Sequence, residues 1–227
     1  MKLFNGLAAR HYKRSYSQCG EDLIVEFILD ALKISKPSYL DIGAHHPTFL
    51  SNTYLFYRKG GHGVCIEPDP VLCRELKGRR RRDICLNVGI GITQEDEASF
   101  YILSSRALST FSREEAERYQ GYGHHKIEQV IRMPLVPVND IIRKYFSEPP
   151  RFVSLDTEGM DLAILKTFDF GSFRPPVFCV ETLTYTEDKL ENKIPEIIDL
   201  MVSKGYRIYA DTFINSIFVD EEAWNGR

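Results

Sequence analysis

No apolar run in the sequence approaches the roughly 18 residues that a membrane-spanning helix requires, so the chain is expected to be soluble. There is no Cys-x-x-Cys pair. The five cysteines, Cys19, Cys65, Cys73, Cys85 and Cys179, are odd in number and scattered. Three sit in apolar strand-like runs, where a free thiol packs as a small hydrophobe, and the expected compartment is the reducing cytoplasm. The start, MKLFNGLAARHYKRSYSQ, is basic but lacks the apolar stretch of a secretory signal, so export is not expected. A large excess of charge is missing too. A net charge of −3 gives no global attraction to nucleic acid and leaves one basic run, GRRRRD at 78–83, to be judged locally. It is expected to follow a helix ending near Lys77 with Gly78 as the stop signal, its arginines forming a solvated turn or contacting an anion.

The 227 residues are 43% hydrophobic, enough for one substantial core and one domain. EDLIVEFILDAL places Leu23, Phe27, Ile28, Ala31 and Leu32 on one helical face. SYLDIG, GVCIEPDP, ICLNVGI, RFVSLD and PPVFCVET read as strands, and EASFYIL as a further extended segment. NTYLFYRKGG, VLCRELKG, VNDIIRKYF, DLAILKTF and IPEIIDLMVSKG read as helices. Tyr54, Phe56 and Tyr57 in the first of these are expected to pack in the core. YRIYAD and NSIFVD follow with no helix between them, as an antiparallel closing hairpin. Strands alternating with helices imply a doubly wound, Rossmann-like α/β fold, a parallel sheet with helices on both faces. Residues 1–36 read as an amino-terminal helical segment and 37–227 as the main domain, in which the looser stretch 104–138 is an acceptor-site insertion or lid.

In such sheets ligands bind beyond the carboxyl ends of the strands. Asp41 and Gly43 end the first strand, but Ala44, His45, His46 and Pro47 stand where Gly-x-Gly-x-x-Gly would continue, which counts against a dinucleotide pyrophosphate site. Glu67 ends the second strand, where an acid can accept hydrogen bonds from both hydroxyls of a ribose. Asn87 ends the third, where its amide suits an adenine edge. Asp156 and Glu158 lie two apart after the fourth and face one side if the strand continues; Glu181 ends the next. The pairs His45-His46 and His124-His125 lack the i, i+4 spacing of a helical zinc site.

Taken in order, SYSQCGEDLIVEFIL, YLDIGAHHPTFLSNTYLFY, GGHGVCIEPDP, ICLNVGI, VSLDTEGMDLAILKTFDF and RPPVFCVET resemble the FkbM family of S-adenosylmethionine-dependent methyltransferases, over about residues 16–219. The resemblance implies a seven-stranded class I methyltransferase sheet with an antiparallel carboxyl-terminal strand. It also implies O-methylation, often of sugars in polysaccharides, lipo-oligosaccharides or glycosylated natural products. By position, Asp41, Gly43, Ala44 and His45 match the loop beside the amino-acid part of the cofactor. Glu67 with Pro68 matches the ribose site, and Asn87 with Val88 the adenine site. Asp156, Glu158 and Gly159 match the Asp-x-Glu-Gly signature, Asp156 also bordering the cofactor. Gln18, Glu21 and Asp22 belong to a segment that folds over it. The chain departs from many relatives in its His-His-Pro after Ala44. Two alternatives remain at this stage: a nicotinamide-dependent oxidoreductase, whose ribose the acid after the second strand would equally suit, and a non-catalytic binding protein that retains the fold.

A methyl sulfonium is an activated donor, so the protein must align an acceptor oxygen with it and assist loss of a poorly acidic proton. His46, restrained by Pro47, is the better base of the histidine pair. The competing arrangement has Asp156, Glu158 and Glu181 share a magnesium or calcium ion with the acceptor. Ser109, Thr110 and Phe111 are expected at the mouth, with Tyr119, Tyr122, His124 and His125 offered to a saccharide or glycoconjugate acceptor.

Overall fold

The computed structural model describes residues 12–183 and 193–227. Residues 1–11 of the expected amino-terminal cover lie outside the described residues. In chain order the elements are α1 (Glu21–Ala31), β1 (Ser38–Ile42), α2 (Tyr54–Arg58), β2 (His62–Ile66), α3 (Pro70–Arg79), β3 (Ile84–Leu86), β4 (Gly89–Gly91), β5 (Glu97–Leu103) and α4 (Arg113–Gly121). They continue with β6 (Ile127–Pro137), α5 (Val138–Tyr145), β7 (Phe152–Leu155), α6 (Asp161–Thr167), β8 (Val177–Glu181), α7 (Pro195–Ser203), β9 (Tyr206–Asp211), β10 (Asn215–Asp220) and α8 (Glu221–Asn225).

Seven strands form one sheet in the order β3-β2-β1-β7-β8-β10-β9. The first five pair in parallel, and β10 runs antiparallel to both β8 and β9. The strand order reverses between β1 and β7, which opens a crevice at their carboxyl ends. Helices on both faces bury the central strands, so these read as continuous apolar runs. Side chains alternate between two cores. Leu40, Ile42, Ile66, Val153 and Phe178 enter one; Tyr39, Cys65, Phe152, Val177 and Cys179 enter the other. All five cysteines are unbridged, and only Cys19 is exposed. No helix among the described residues is long and apolar enough to cross a membrane.

Five local expectations change. Helix α1 turns Val25, Ile28 and Leu29 inward with Glu21, Asp22 and Glu26, leaving Phe27 58% exposed. Polar partners for the three acids rotate the helix away from its most apolar stripe. Helix α3 starts where Asp69 accepts hydrogen bonds from the Val71 and Leu72 N–H groups and Pro70 presets the first turn. It runs through Gly78 to Arg79, and Arg80 beyond it is fully buried and no part of a solvated turn. ICLNVGI is two strands in different sheets, because Asn87 breaks the ladder by donating to the carbonyls of Glu67 and Pro68. The loose stretch folds into a 3₁₀ turn at Arg106–Leu108, α4, and the long β6, which pairs with β5 and β4 in a second, three-stranded sheet. In α2 only Phe56 of the three aromatics is fully buried; Tyr54 and Tyr57 are half-buried.

Candidate active site

A cleft of about 510 Å³ opens at the carboxyl ends of β1, β2, β7 and β8, with β4, β5 and the 3₁₀ turn as its far wall. Gly43 makes its floor. Its φ is +80°, and a Cβ there would stand 1.7 Å from the Asp156 carbonyl oxygen, so only glycine lets the β1 turn pass the acidic turn after β7.

Glu67 ends β2 inside the cleft. One carboxylate oxygen accepts the His45 N–H at 2.7 Å and the other the Asp69 N–H at 2.7 Å. Burial pushes its pKa up to about 8 even though both N–H groups favour the charged form. Ile66, Pro68 and Ile90 supply apolar surface beside it, and Gln18 lines the wall from the amino-terminal segment. His45 lines the cleft with a left-handed backbone, and burial lowers its pKa, keeping the ring neutral.

Asp156, Glu158 and Glu181 meet on the opposite wall, each half-buried, with one oxygen apiece inside 4.8 Å of the others. Burial, the neighbouring Asp161 and Asp41 raise Asp156 to about 7. Burial and the adjacent acids hold Glu158 and Glu181 well above the usual carboxylate range, and burial lifts Asp161 to about 6. The insertion docks on this group. The Tyr119 hydroxyl donates to Glu158 Oε2 at 2.9 Å, and Thr110 Oγ1 donates to the Glu158 carbonyl at 2.9 Å. Arg106 from the 3₁₀ turn lines the cleft and pairs with Asp69 at the start of α3.

Other expected site residues stand behind this surface. His46 does not line the cleft, and its Nδ1 accepts the Thr48 and Phe49 N–H groups, so the ring braces its own loop and is not set as a base. Asp41 faces away, accepting from Thr53 Oγ1 and lying 3.7 Å from Arg80. Ala44 is buried in the core, and Asn87 and Val88 pack beneath the β2 end without lining the cleft. Glu21 accepts from Thr212 and Asn215, and Asp22 from Ser15, Ser17 and the Tyr16 N–H; both pin the amino-terminal segment instead of lining the cavity. Ser109 and Phe111 line the cleft; Thr110, Tyr122 and His124 do not.

The residues missed from sequence are Arg80, Asp161, Arg106, and the structural use of Tyr119. Only Asp161 carried a signal, as an acid in the first turn of a helix following the Asp-x-Glu-Gly stretch.

The assembled cleft offers an acceptor for a diol, an apolar slot, and a cluster of acids within reach of one ligand. No curated protein matches the chain. Among solved structures it is similar to a TehB-like S-adenosylmethionine-dependent methyltransferase from Corynebacterium glutamicum, at 8% identity and a TM-score of 0.45, covering 94% of this chain and 92% of that one. It is also similar to an O-methyltransferase from Bacillus cereus in complex with S-adenosylhomocysteine, at 12% identity and a TM-score of 0.45, covering 94% and 84%. A Burkholderia thailandensis 1,6-didemethyltoxoflavin-N1-methyltransferase gives 9% and 0.42, covering 89% and 77%. The family model of the FkbM methyltransferase domain matches residues 41–208, from the end of β1 into β9. The chain thus belongs to the FkbM methyltransferase family, and it is an S-adenosylmethionine-dependent methyltransferase.

Proposed function

We propose that the protein methylates a hydroxyl of a sugar carried in a glycan, polysaccharide or glycosylated natural product, working in the cytoplasm. The observation that carries this reading is the carboxylate group Asp156, Glu158 and Glu181 on the cleft wall, with Asp156 raised by burial to about 7. A sugar hydroxyl ionises poorly, and a base titrating near neutrality suits it best. The unbridged cysteines fit a reducing compartment.

The donor set of the cleft fits the methyl donor. Each Glu67 oxygen takes one backbone N–H and keeps lone-pair capacity for a ribose hydroxyl. Ile66, Pro68 and Ile90 offer the apolar faces an adenine needs, and Gln18 an amide for the amino-acid end. When bound, the cofactor supplies a methyl group on a positively charged sulfur. Asp156 accepts the proton of the acceptor hydroxyl, while Glu158 and Glu181 take hydrogen bonds from neighbouring hydroxyls of the sugar. Tyr119 holds Glu158 in place for that task.

The test is a panel of glycans and glycosides incubated with enzyme and donor, with products read by mass spectrometry as the gain of one methylene. Asp156→Asn should lower kcat by roughly 10²–10⁴-fold while S-adenosylhomocysteine binds as before. Native turnover in that variant would remove Asp156 from the reaction. The close approach of the three carboxylates also favours a second arrangement, in which they hold a magnesium or calcium ion, since hard oxygen ligands suit both. A chelator that abolishes transfer and spares cofactor binding selects that arrangement; full activity in chelator excludes it.

A further inference from the structure

Among the described residues, five other than glycine have a left-handed backbone: Lys33, His45, Leu50, Glu158 and Phe213. Four of them, all but Lys33, line the one cleft. Left-handed backbone is unfavourable for a residue with a Cβ, most of all for bulky ones, and it persists where the surrounding structure enforces it for a purpose. His45 and Glu158 hold polar groups of the site already described. Leu50 and Phe213 have no such part, and they are apolar.

Phe213 occupies the tight turn between β9 and β10, closed by Thr212 N–H donating to the Asn215 carbonyl at 2.9 Å. Its φ is +76°, and its neighbour Ile214 is not left-handed, so the turn takes its positive φ at the first central position, where hairpins favour glycine. A phenylalanine stands there instead, 59% exposed. It contributes little to the core. Leu50 is held at φ +53°, 39% exposed, in a loop fixed by Ser51 N–H donating to the Tyr16 carbonyl at 2.9 Å. The Phe213 turn is tied to the acid group, because Thr182 N–H, next to Glu181, donates to the Ile214 carbonyl at 2.9 Å. The fold therefore holds two exposed apolar side chains, in conformations that suit neither, in the lining of the cleft that also carries the carboxylates.

We propose that Leu50 and Phe213 form a subsite for an apolar substituent, alkyl or aryl, on the sugar that is methylated. The inference rests on the methyl-transfer reading of the cleft and sharpens it: the acceptor is a glycoside with a hydrophobic aglycone, and an unsubstituted hydrophilic glycan is a poor ligand. A nonpolar group leaving water at the rim adds affinity in proportion to its buried area. It also fixes the sugar's orientation toward Asp156.

The test uses methyl, hexyl and octyl β-D-glucoside, each below its micellar concentration, titrated by calorimetry into the protein with and without S-adenosylhomocysteine. Affinity should rise at least about tenfold from the methyl to the octyl compound. Phe213→Gly should lose most of that gain, and Leu50→Gly part of it, with S-adenosylhomocysteine affinity unchanged. Because glycine suits the turn, Phe213→Gly should melt at or above the native temperature, which separates a binding role from a structural one. No dependence on chain length, or a Phe213→Gly protein that keeps the full gain, overturns the proposal. Failure of S-adenosylhomocysteine to bind strikes the methyl-transfer reading instead, and the series on the protein alone still decides the subsite.

Discussion

Asp41 in β1 and Asp156 just beyond β7 belong to paired strands, yet the fold treats the two carboxylates in opposite ways. Around Asp41 every charge has an answer. Thr53 donates to it, and the buried Arg80 stands 3.7 Å away while binding Asp83 at 2.7 Å, the Tyr39 hydroxyl at 3.0 Å and Thr53 Oγ1 at 2.8 Å. Burial still raises Asp41, and Arg80 and Thr53 pull it back. Around Asp156 the neighbours are Glu158, Glu181 and Asp161, with no lysine or arginine ion-paired to the group among the described residues. Compensated charge is scaffold: it fixes the loop carrying His45 and Leu50 by gripping both its ends. Uncompensated charge is what a ligand, a proton or a cation can answer.

Removing the compensation gives the largest expected effect. Arg80→Met leaves Asp41 and Asp83 buried without their cation and should lower the unfolding free energy by about 3–5 kcal/mol, read from urea denaturation. A loss under about 1 kcal/mol would show the two acid groups to be alike. Glu67→Ala comes next. It removes the acceptor proposed for the ribose and should weaken S-adenosylhomocysteine binding by about 1–3 kcal/mol in calorimetry; unchanged affinity takes Glu67 out of the site.

The uncompensated group predicts a pH dependence of the ligand-free protein. Burial and like charge push Asp161, Asp156 and Glu67 up to about 6, 7 and 8 in the folded state, and hold Glu158 and Glu181 well above the ordinary carboxylate range. The folded protein therefore holds protons that the unfolded chain releases near pH 4. Their contribution to stability is complete below that pH and is lost as the pH rises toward 8. Melting temperature should fall between pH 5 and 8. Glu181→Gln should flatten the fall, with a gain of roughly 1–2 kcal/mol at the alkaline end. A protein that grows more stable over this range in both forms would refute the like-charge account.

The same contrast explains what could be read from the sequence. Strands β1, β2, β7 and β8 are short apolar runs ending in acids, because parallel strands are buried on both faces and open only at their carboxyl ends. Their membership of one parallel sheet, and the opening at its carboxyl ends, were legible for that reason. Strand β6 was not, since IEQVIRMPLVP buries Met133 alone, alternates only over Ile131–Leu135 and carries two prolines, which argue against a strand. Nor was Arg80. It is one of four consecutive arginines, and only the path of the chain after α3 turns it inward toward residues some thirty and forty positions away. Asn87 and His46 have side chains suited to ligands, but backbone groups claim them first: the Thr48 and Phe49 N–H groups beside His46 in sequence, and the carbonyls of Glu67 and Pro68, brought to Asn87 by the pairing of β2 with β3.

The smallest effect is expected at the rim, where the 3₁₀ turn meets α3. Arg106 is partly exposed and pairs with the fully buried Asp69. Asp69 has other tasks that survive loss of this partner: it caps α3 through the Val71 and Leu72 N–H groups, and its own N–H donates to Glu67. Arg106→Gln should therefore change stability by less than about 1 kcal/mol. Because Arg106 lines the cleft and its partner Asp69 bonds Glu67, the acceptor proposed for the ribose, loss of Arg106 should still weaken S-adenosylhomocysteine binding a few-fold in low salt, with the difference from native fading as salt screens the pair. A destabilisation as large as that of Arg80→Met would mean that the rim pair is structural, and that burial of one partner suffices to make a charge part of the scaffold.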